Sequence, residues 1–308
     1  MTNKDNDNVR ILMLFMPEIR QCLENKRWPE LKQILLKIPP MDLAEGWGNF
    51  SPRERIIIFK LFDIRLATEL FESLRLEDQS FLLNNLEDGN VARILNDMAP
   101  DERANLFKDL PRKVYKKFFR LMSKEEAADV AELLAYDEGA AGAVMTTEFV
   151  ELRKDMTARG AILKLQDCLR FDSSADVHTV YVTDENNILK GAVELQDLIK
   201  APADMPIKDI MTDVDHIKIG VDNANAEVAR RFKKYDLLDA PVVDVSDKLI
   251  GVITVDDIVD LIDKEATKDI YEVGKMSAEE GQIISYATAT VGELLKRRSG
   301  WLIFLLVF

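Results

Sequence analysis

The residues best suited to chemistry in this 308-residue sequence are carboxylates concentrated in one stretch, 256–272. Seven acids stand there against two lysines, which gives a local net charge of −5. These acids are Asp256, Asp257, Asp260, Asp263, Glu265, Asp269 and Glu272. Apolar residues between positions 258 and 262 predict a helix with the acids on its other face. Such a face is either simply solvated or holds a hydrated divalent ion between facing carboxylates.

Mg²⁺ is the ion that this composition favours. It keeps several of its water ligands and needs few direct carboxylate contacts, whereas zinc and copper prefer sulfur and imidazole. The cysteines and histidines occur in no zinc spacing; they are Cys22, Cys168, His178 and His216. A net charge of −14 makes nucleic acid a poor partner. The sequence has no phosphate-loop, metalloprotease or serine-hydrolase motif, so we expect no enzyme.

Residues 1–138 predict an all-helical domain built from a repeated unit. Apolar residues recur every 24 positions, as at Phe50, Leu74, Met98 and Met122. Each unit contains two short helices, and neither can bury its apolar stripe without stacking on a neighbour, so we expect a small α-superhelix. Acids share the same period at Glu54, Asp78, Glu102 and Glu126. They either stabilise helix starts through the helix dipole or, at some positions, face a metal.

The pattern of residues 139–268 predicts a duplicated α/β unit. Each copy contains a short strand, a helix, two strands joined by a polar turn, and a second helix. Gly191 and Gly251 are 60 residues apart, as are Asp197 and Asp257. Met145 and Met211 are 66 residues apart, so the shared order at a nearly constant separation indicates an internal duplication.

The two copies together resemble the tandem CBS pair called a Bateman module. The residues that carry the resemblance are Ile210–Thr212, Ala240–Asp244 and Gly251–Asp257. In that family, clefts between the copies can bind adenine nucleotides, with a Thr at the phosphate and an Asp three residues later at the ribose. The resemblance carries these roles to Thr254 and Asp257, and to Asp197 in the first copy, where Glu194 replaces the Thr. A structural pair that binds no nucleotide is the alternative.

The end of the sequence has the character of a membrane boundary. Residues 291–300 form an amphipathic pattern with a basic cluster at 296–298, and the stretch 301–308 is wholly apolar. Positive charge followed by Trp301 and apolar residues is typical of the cytoplasmic flank of a transmembrane helix. A full span needs about 20 apolar residues, so we expect the start of a truncated transmembrane helix. An apolar tail on a soluble protein is the alternative.

Helical repeats, two CBS copies, an acidic linker and a membrane boundary, in this order, resemble the cytosolic half of MgtE magnesium transporters. The motifs that carry this resemblance are Met41–Glu45, Pro100–Arg103, Gly142–Thr146, Thr254–Asp257 and Glu265–Tyr271. The resemblance implies a homodimeric Mg²⁺ channel of the cell membrane, with this region on the cytoplasmic side and the pore beyond residue 308. High intracellular Mg²⁺ would bridge acids of the helical domain, the CBS pair and the connecting helix at about 290–298, and would close the pore.

The resemblance also implies the ligands of the regulatory ions. They are Asp236, Asp257, Asp260, Glu265 and Asp269, with Asp101 from the helical domain. The sequence departs from the family at Asn105, Ala224 and Lys268, where acids are expected. We therefore expect one or more of the regulatory sites to be weak or missing.

These observations together predict an α+β multidomain protein. Its segments are an all-α superhelical domain at 1–138, α/β CBS domains at 139–204 and 205–268, a connecting helix region at 269–300, and the start of a transmembrane helix at 301–308. The expected ligands are Mg²⁺ and ATP, and the expected partners are a second copy, the chain's own transmembrane domain and the membrane. Two other functions fit parts of the sequence: a soluble CBS-type adenine-nucleotide sensor that regulates a partner protein, and an interaction scaffold built on the helical array.

Overall fold

The N-terminal part of the molecule is a continuous array of short helices. The computed structural model describes residues 5–171, 177–259 and 261–262. Within these residues, the helices before the first strand are α1 (Asp5–Glu24), α2 (Trp28–Leu35), α3 (Pro40–Glu45), α4 (Pro52–Leu61), α5 (Ile64–Ser73), α6 (Leu76–Asn85), α7 (Asp88–Asp97), α8 (Pro100–Asp109), α9 (Arg112–Phe119) and α10 (Lys124–Leu133). Proline is the first residue of α3, α4 and α8, where its missing N–H removes no helical hydrogen bond.

The 24-residue period is visible in the helix boundaries. One series of helices begins at Pro52, Leu76, Pro100 and Lys124, and the other begins at Pro40, Ile64, Asp88 and Arg112. The repeated apolar residues at 50, 74, 98 and 122 are all buried in one core that runs through the array. The predicted repeat of helix pairs is confirmed, since each unit covers its apolar face with its neighbours.

Two small sheets of the same topology follow the helical array. The first contains β1 (Glu151–Arg153), β2 (Thr179–Thr183) and β3 (Leu189–Glu194), with helices α11 (Ala158–Phe171) and α12 (Leu195–Lys200). The second contains β4 (Ile219–Gly220), β5 (Asp239–Val243) and β6 (Leu249–Thr254), with helix α13 (Asn225–Tyr235). Residues 255–259 are also helical. In each sheet the first two strands are parallel and the last two antiparallel, so the predicted duplication is confirmed.

In each α/β copy, a segment before the first strand pairs with the sheet of the other copy. Thr146 pairs with β6 of the second copy, and Thr212 pairs with β3 of the first copy, through two backbone hydrogen bonds each. The strand residue beside each segment is glycine. A Cβ on Gly251 would lie 2.9 Å from the Thr146 carbonyl oxygen, and one on Gly191 would lie 2.7 Å from that of Thr212. The segments at Thr146 and Thr212, called the crossing segments below, therefore join the two copies into one module. Their close approach requires glycine at positions 191 and 251.

The helical array packs against the second α/β copy. Ala104 of α8 and Leu133 of α10 share a buried core with residues of that copy, among them Ile258. The linker at 139–142 makes backbone hydrogen bonds to residues 221–225. This contact brings the first turn of α8 close to the helical residues that follow β6.

The element order confirms a helical domain followed by two α/β copies. The predicted connecting helix region at 269–300 and the predicted start of a transmembrane helix at 301–308 lie outside the described residues. Among the residues that are described, no helix is long and apolar enough to cross a membrane. The exact domain boundaries stay predictions.

Candidate metal centre

Three carboxylates from two modules meet where α8 contacts the second α/β copy. Asp101 and Glu102 lie in the first turn of α8, and Asp257 lies in the first turn of the helical residues after β6. One oxygen from each side chain lies within 4.8 Å of the other two. Carboxylates are favourable in the first turn of a helix because unpaired N–H groups and the positive end of the dipole are there. Two helix starts therefore direct acidic side chains into one space.

This candidate metal centre, formed by Asp101, Glu102 and Asp257 and called the metal centre below, is crowded with negative charge and partly shielded from water. Asp101 is buried, with 6% of its surface exposed, and Glu102 and Asp257 are half-buried. Burial, followed by the charges of Glu102, Glu72 and Asp256, raises the pKa of Asp101 to about 7. Burial and the charge of Asp101 raise the pKa of Asp257 to about 8. In the absence of a cation, the full ionisation of both carboxyl groups at neutral pH is therefore unfavourable while the two modules are in contact.

A fourth carboxylate extends the negative region to α5. Glu72 accepts a hydrogen bond of 3.4 Å from the backbone N–H of Ala99. Burial, and then the charge of Glu102, raise the pKa of Glu72 to about 7. The group of neighbouring carboxylates therefore extends from α8 to α5 within the helical array.

The composition of the metal centre suits a hydrated Mg²⁺ ion. Mg²⁺ binds oxygen ligands at about 2.0–2.1 Å and retains part of its water shell. Three carboxylate oxygens within 4.8 Å of one another can surround such an ion, directly or through its water. The group contains neither sulfur nor imidazole, which zinc prefers. A bound ion would stabilise the ionised form of Asp101 and Asp257, and it would therefore displace the protons that their raised pKa values favour.

The structure brings together two of the six predicted metal ligands. Asp101 and Asp257 both belong to the metal centre. Asp236 does not belong to this group; it ends α13 in a left-handed conformation with a φ of 51°, and its side chain is exposed. The remaining predicted ligands lie outside the described residues: Asp260, Glu265 and Asp269. The metal-binding role of all six stays a prediction.

Glu102 is the member of the metal centre that the predicted ligand set omits. In the structure, the other acids of the 24-residue period bind arginine, in the pairs Glu54–Arg20, Asp78–Arg55 and Glu126–Arg103. Asp78 and Glu126 have their arginine 23 positions earlier in the sequence, whereas the residue 23 positions before Glu102 is Gln79. That difference in the repeat is the sequence signal that singles out Glu102.

The residues predicted to bind nucleotide differ between the two copies. The Thr254 hydroxyl donates a hydrogen bond of 2.8 Å to Oδ2 of Asp257. Asp197, at the equivalent position of the first copy, is exposed and pairs with Lys200 at 3.2 Å. A phosphate beside Thr254 would meet the negative charge of the metal centre, so a bound cation would have to accompany it. Nucleotide binding by these residues stays a prediction.

Two family models match the chain, and they divide it between the helical array and the α/β copies. The MgtE intracellular N domain matches residues 38–139. The CBS domain matches residues 141–204 and again residues 207–264. The first match contains Asp101 and Glu102, and the last contains Asp257, so the metal centre lies between two recognised domains.

The chain is also similar to a curated transporter and to solved structures. The magnesium transporter MgtE of Thermus thermophilus is 28% identical over 297 residues, which cover 94% of this chain and 64% of that protein. The crystal structure of the soluble part of a magnesium transporter matches with a TM-score of 0.74 and 28% identity, covering 85% of this chain and 100% of that one. The cytosolic domain of the Mg²⁺ channel MgtE in complex with ATP matches with a TM-score of 0.73 and 29% identity, covering 79% and 98%. The chain thus spans less than two thirds of the length of the curated relative.

Proposed function

We propose that this chain, which matches the MgtE intracellular N domain and two CBS domains and is similar to the magnesium transporter MgtE, is the region of such a transporter that senses Mg²⁺ and gates the pore. At high intracellular Mg²⁺, ions between α8 and the second CBS domain hold the helical domain against the CBS pair, and the pore closes. At low Mg²⁺ the carboxylates repel one another, the modules separate and the pore opens. In this proposal the region is a regulator on the cytoplasmic side of the cell membrane and has no enzymatic activity.

The meeting of Asp101, Glu102 and Asp257 is the observation that carries this proposal. The three oxygens come from two domains and lie within 4.8 Å of one another. Two ionised carboxylates at that separation repel by about 3 kcal/mol when the effective dielectric constant is about 20. An ion shared by the two domains removes this repulsion, so its concentration controls how closely the domains approach.

Several ions are required for a sharp response. Shifting a two-state equilibrium from 1:99 to 99:1 takes about 5.5 kcal/mol. One site at ten times its dissociation constant contributes about 1.4 kcal/mol, so roughly four such sites are needed. The other predicted ligands, Asp236, Asp260, Glu265 and Asp269, are the proposed sources of the additional sites.

The proposal also includes a homodimer that joins through the CBS module. Val255, Val259 and Ile262 expose 38%, 52% and 43% of their surfaces at a helical spacing. Ile199, which precedes Val259 by the 60-residue offset of the duplication, is 67% exposed. Exposed apolar residues on equivalent helices of both copies are consistent with a surface that a second chain covers.

Small-angle scattering of the purified chain tests the proposed Mg²⁺ response. We expect the radius of gyration to fall as Mg²⁺ rises into the millimolar range, and we expect Asp257→Asn combined with Asp260→Asn to abolish this change. Asp197→Asn is the matched control, because Asp197 is the equivalent residue of the first copy. An unchanged radius of gyration of the wild-type chain, with Mg²⁺ chelated or in excess, would reject the proposal.

A nucleotide sensor is the second candidate function, because one similar cytosolic domain was solved in complex with ATP. ATP titrated in the presence of a chelator separates this function from Mg²⁺ sensing. A shape change with ATP alone that Thr254→Val abolishes would favour the soluble sensor. A chain that responds to neither ligand would favour the interaction scaffold.

A further inference from the structure

The start of α8 is capped by a side chain from another helix. The residue before α8 is Ala99, whose methyl side chain cannot accept a hydrogen bond, unlike the serine or aspartate that is usual at this position. The backbone N–H of Ala99 donates a hydrogen bond of 3.4 Å to Oε1 of Glu72, near the end of α5. In a capping box this N–H is satisfied by an acid of the same helix, as Glu54 does for Ser51 in α4. For α8, an acceptor for this N–H comes from α5.

The same arrangement recurs one unit later in the array. Asn96 and Ser123 stand 24 positions after Glu72 and Ala99, respectively. The backbone N–H of Ser123, the residue before α10, donates a hydrogen bond of 3.0 Å to Oδ1 of Asn96 near the end of α7. The recurrence at the period of the array indicates that the contact is a feature of the repeat.

The end of α5, from which the Glu72 side chain extends, is itself held in place. The buried Gln79 side chain donates from its amide nitrogen to the carbonyl oxygen of Phe71 at 2.9 Å and to that of Glu72 at 3.5 Å. The last carbonyl groups of a helix have no partner within the helix, so these contacts fix the helix end. Leu70 and Phe71 of the same turn are fully buried in the core of the array. Glu72 therefore caps α8 from a rigid base.

The capped turn contains Asp101, the most buried carboxylate of the metal centre. Asp101 lies two residues after Ala99, and one of its oxygens lies within 4.8 Å of an oxygen of Asp257 in the other module. Mg²⁺ demands near-ideal octahedral geometry, and the groups of a binding site must be held within about 0.5 Å of their productive positions. A displacement of the first turn of α8 would therefore prevent the two carboxylates from sharing an ion.

We propose that Glu72 is a positioning residue of the metal centre: its hydrogen bond to Ala99 holds the first turn of α8, and with it Asp101, in the place where an ion can be shared with Asp257. Asn96 holds the start of α10 in the same way, but α10 carries no residue of the metal centre. The inference rests on the proposed function. It adds to that function a residue outside the metal centre that sets the Mg²⁺ concentration at which the region responds.

Two substitutions of Glu72 test the inference through the Mg²⁺ midpoint of compaction, measured by small-angle scattering. Glu72→Leu removes the acceptor and should raise the midpoint about tenfold, which is typical of the loss of a group that orients a metal ligand. Glu72→Gln keeps a side-chain oxygen as acceptor and should shift the midpoint by roughly threefold or less, half of the tenfold change on a logarithmic scale. Rescue by the amide distinguishes the hydrogen bond from the negative charge.

Asn96→Leu is the matched control, because it removes the equivalent hydrogen bond from the start of α10. It should lower the melting temperature and leave the Mg²⁺ midpoint unchanged. This result would show that a general loss of stability in the array does not move the midpoint.

Amide hydrogen exchange in Mg²⁺-free buffer reports the hydrogen bond without the ion. Exchange at the start of α8 should be faster in Glu72→Leu than in the wild-type chain, and Glu72→Gln should retain the wild-type rate. This readout does not depend on the Mg²⁺ response of the chain.

The outcomes distinguish this inference from the proposed function. An unchanged midpoint in Glu72→Leu, or an equal tenfold rise in Glu72→Gln and in Asn96→Leu, would overturn the positioning role. If Glu72→Leu does not fold, a tenfold rise in Glu72→Gln alone still rejects it, since the amide keeps the acceptor. If the wild-type chain shows no Mg²⁺ response although exchange confirms the hydrogen bond, the proposed function fails, and the role of Glu72 in Mg²⁺ sensing fails with it.

Discussion

At the residue scale, the pair Asp101 and Asp257 links Mg²⁺ binding to pH. Their pKa values of about 7 and about 8 lie above the value of about 3.9 for an aspartate in an unfolded chain. Both groups therefore take up protons when the contact between the domains forms. The Mg²⁺-free contact is most stable at low pH; it loses stability as the pH rises above about 4, and the loss levels off above pH 7 to 8, where both groups are ionised in the contact as well. In the proposed mechanism Mg²⁺ must displace these protons, because a metal ion binds the ionised form of a carboxylate.

The first prediction concerns the Mg²⁺ midpoint as a function of pH. If one proton is displaced per ion, the midpoint should fall about tenfold for each pH unit between pH 5 and 7, and should level off above pH 8. Scattering titrations at constant ionic strength measure this, and Asp257→Asn should give a shallower dependence. The same midpoint at pH 6 and at pH 8.5 would contradict the assignment of the ion to this pair.

The second prediction concerns the stability of the Mg²⁺-free chain at pH 8.5. Asp257→Asn removes one ionised group from the metal centre and should raise the free energy of unfolding by about 1–3 kcal/mol, the size of one carboxylate repulsion. The gain should shrink as the pH falls and disappear only below about pH 4, where aspartate is protonated in the unfolded chain as well. Thermal melts with and without Mg²⁺ measure it, and a loss of stability at pH 8.5 would show that Asp257 supports the fold instead.

At the element scale, the crossing segments explain why glycine stands at equivalent positions of β3 and β6. The third prediction is that Gly251→Ala destabilises the CBS module by about 1–3 kcal/mol, the usual cost of overpacking. The new Cβ would lie 2.6 Å from Sδ of Met145 and 2.9 Å from the carbonyl oxygen of Thr146. The Met145 side chain can move, but the Thr146 backbone is held by its hydrogen bonds to β6.

Gly139→Ala is the matched control for this prediction. Gly139 lies in the linker before the crossing segment, and a Cβ there would meet nothing within 4 Å. Denaturant unfolding should therefore separate the two variants clearly. Equal stability of the two would show that the crossing segment can shift at little cost.

The elements that the sequence could predict are those with a local period. The 24-residue spacing predicted the helix pairs because each unit buries the same apolar positions, such as Leu74 and Met98. The duplication was predictable from the 60-residue offset between Gly191 and Gly251. The crossing of Thr146 to the second copy was not, because a local pattern does not say which sheet a segment joins. The placement of Glu102 beside Asp257 likewise depends on packing between two modules.

At the scale of the whole molecule, the ion of the proposed mechanism acts on a contact that already has an apolar part. Ala104 and Leu133 of the helical domain share a core with Ile258, next to Asp257. Burial of these side chains favours the closed arrangement, whereas the carboxylates oppose it. In the proposed mechanism these two terms offset each other, so the binding of a few ions is enough to decide between the arrangements.

The last prediction concerns the dimer, and Ile199 is the residue that tests it. Ile199 is 67% exposed and lies in the first CBS copy, whereas Asp257 lies in the second copy. If a second chain covers this surface, Ile199→Glu should raise the dimer dissociation constant at least about tenfold, because it places a charge in an apolar interface. Sedimentation measures this, and circular dichroism checks that the variant is folded.

Leu36→Glu is the control for the dimer prediction, since Leu36 is 49% exposed on the helical domain. It should leave the dissociation constant unchanged, which separates a specific interface from a general effect of added charge. A wild-type chain that stays monomeric well above micromolar concentration would remove the homodimer from the proposal. A dimer that survives Ile199→Glu would place the interface on another surface, and the exposed residues at 255, 259 and 262 would then need another partner.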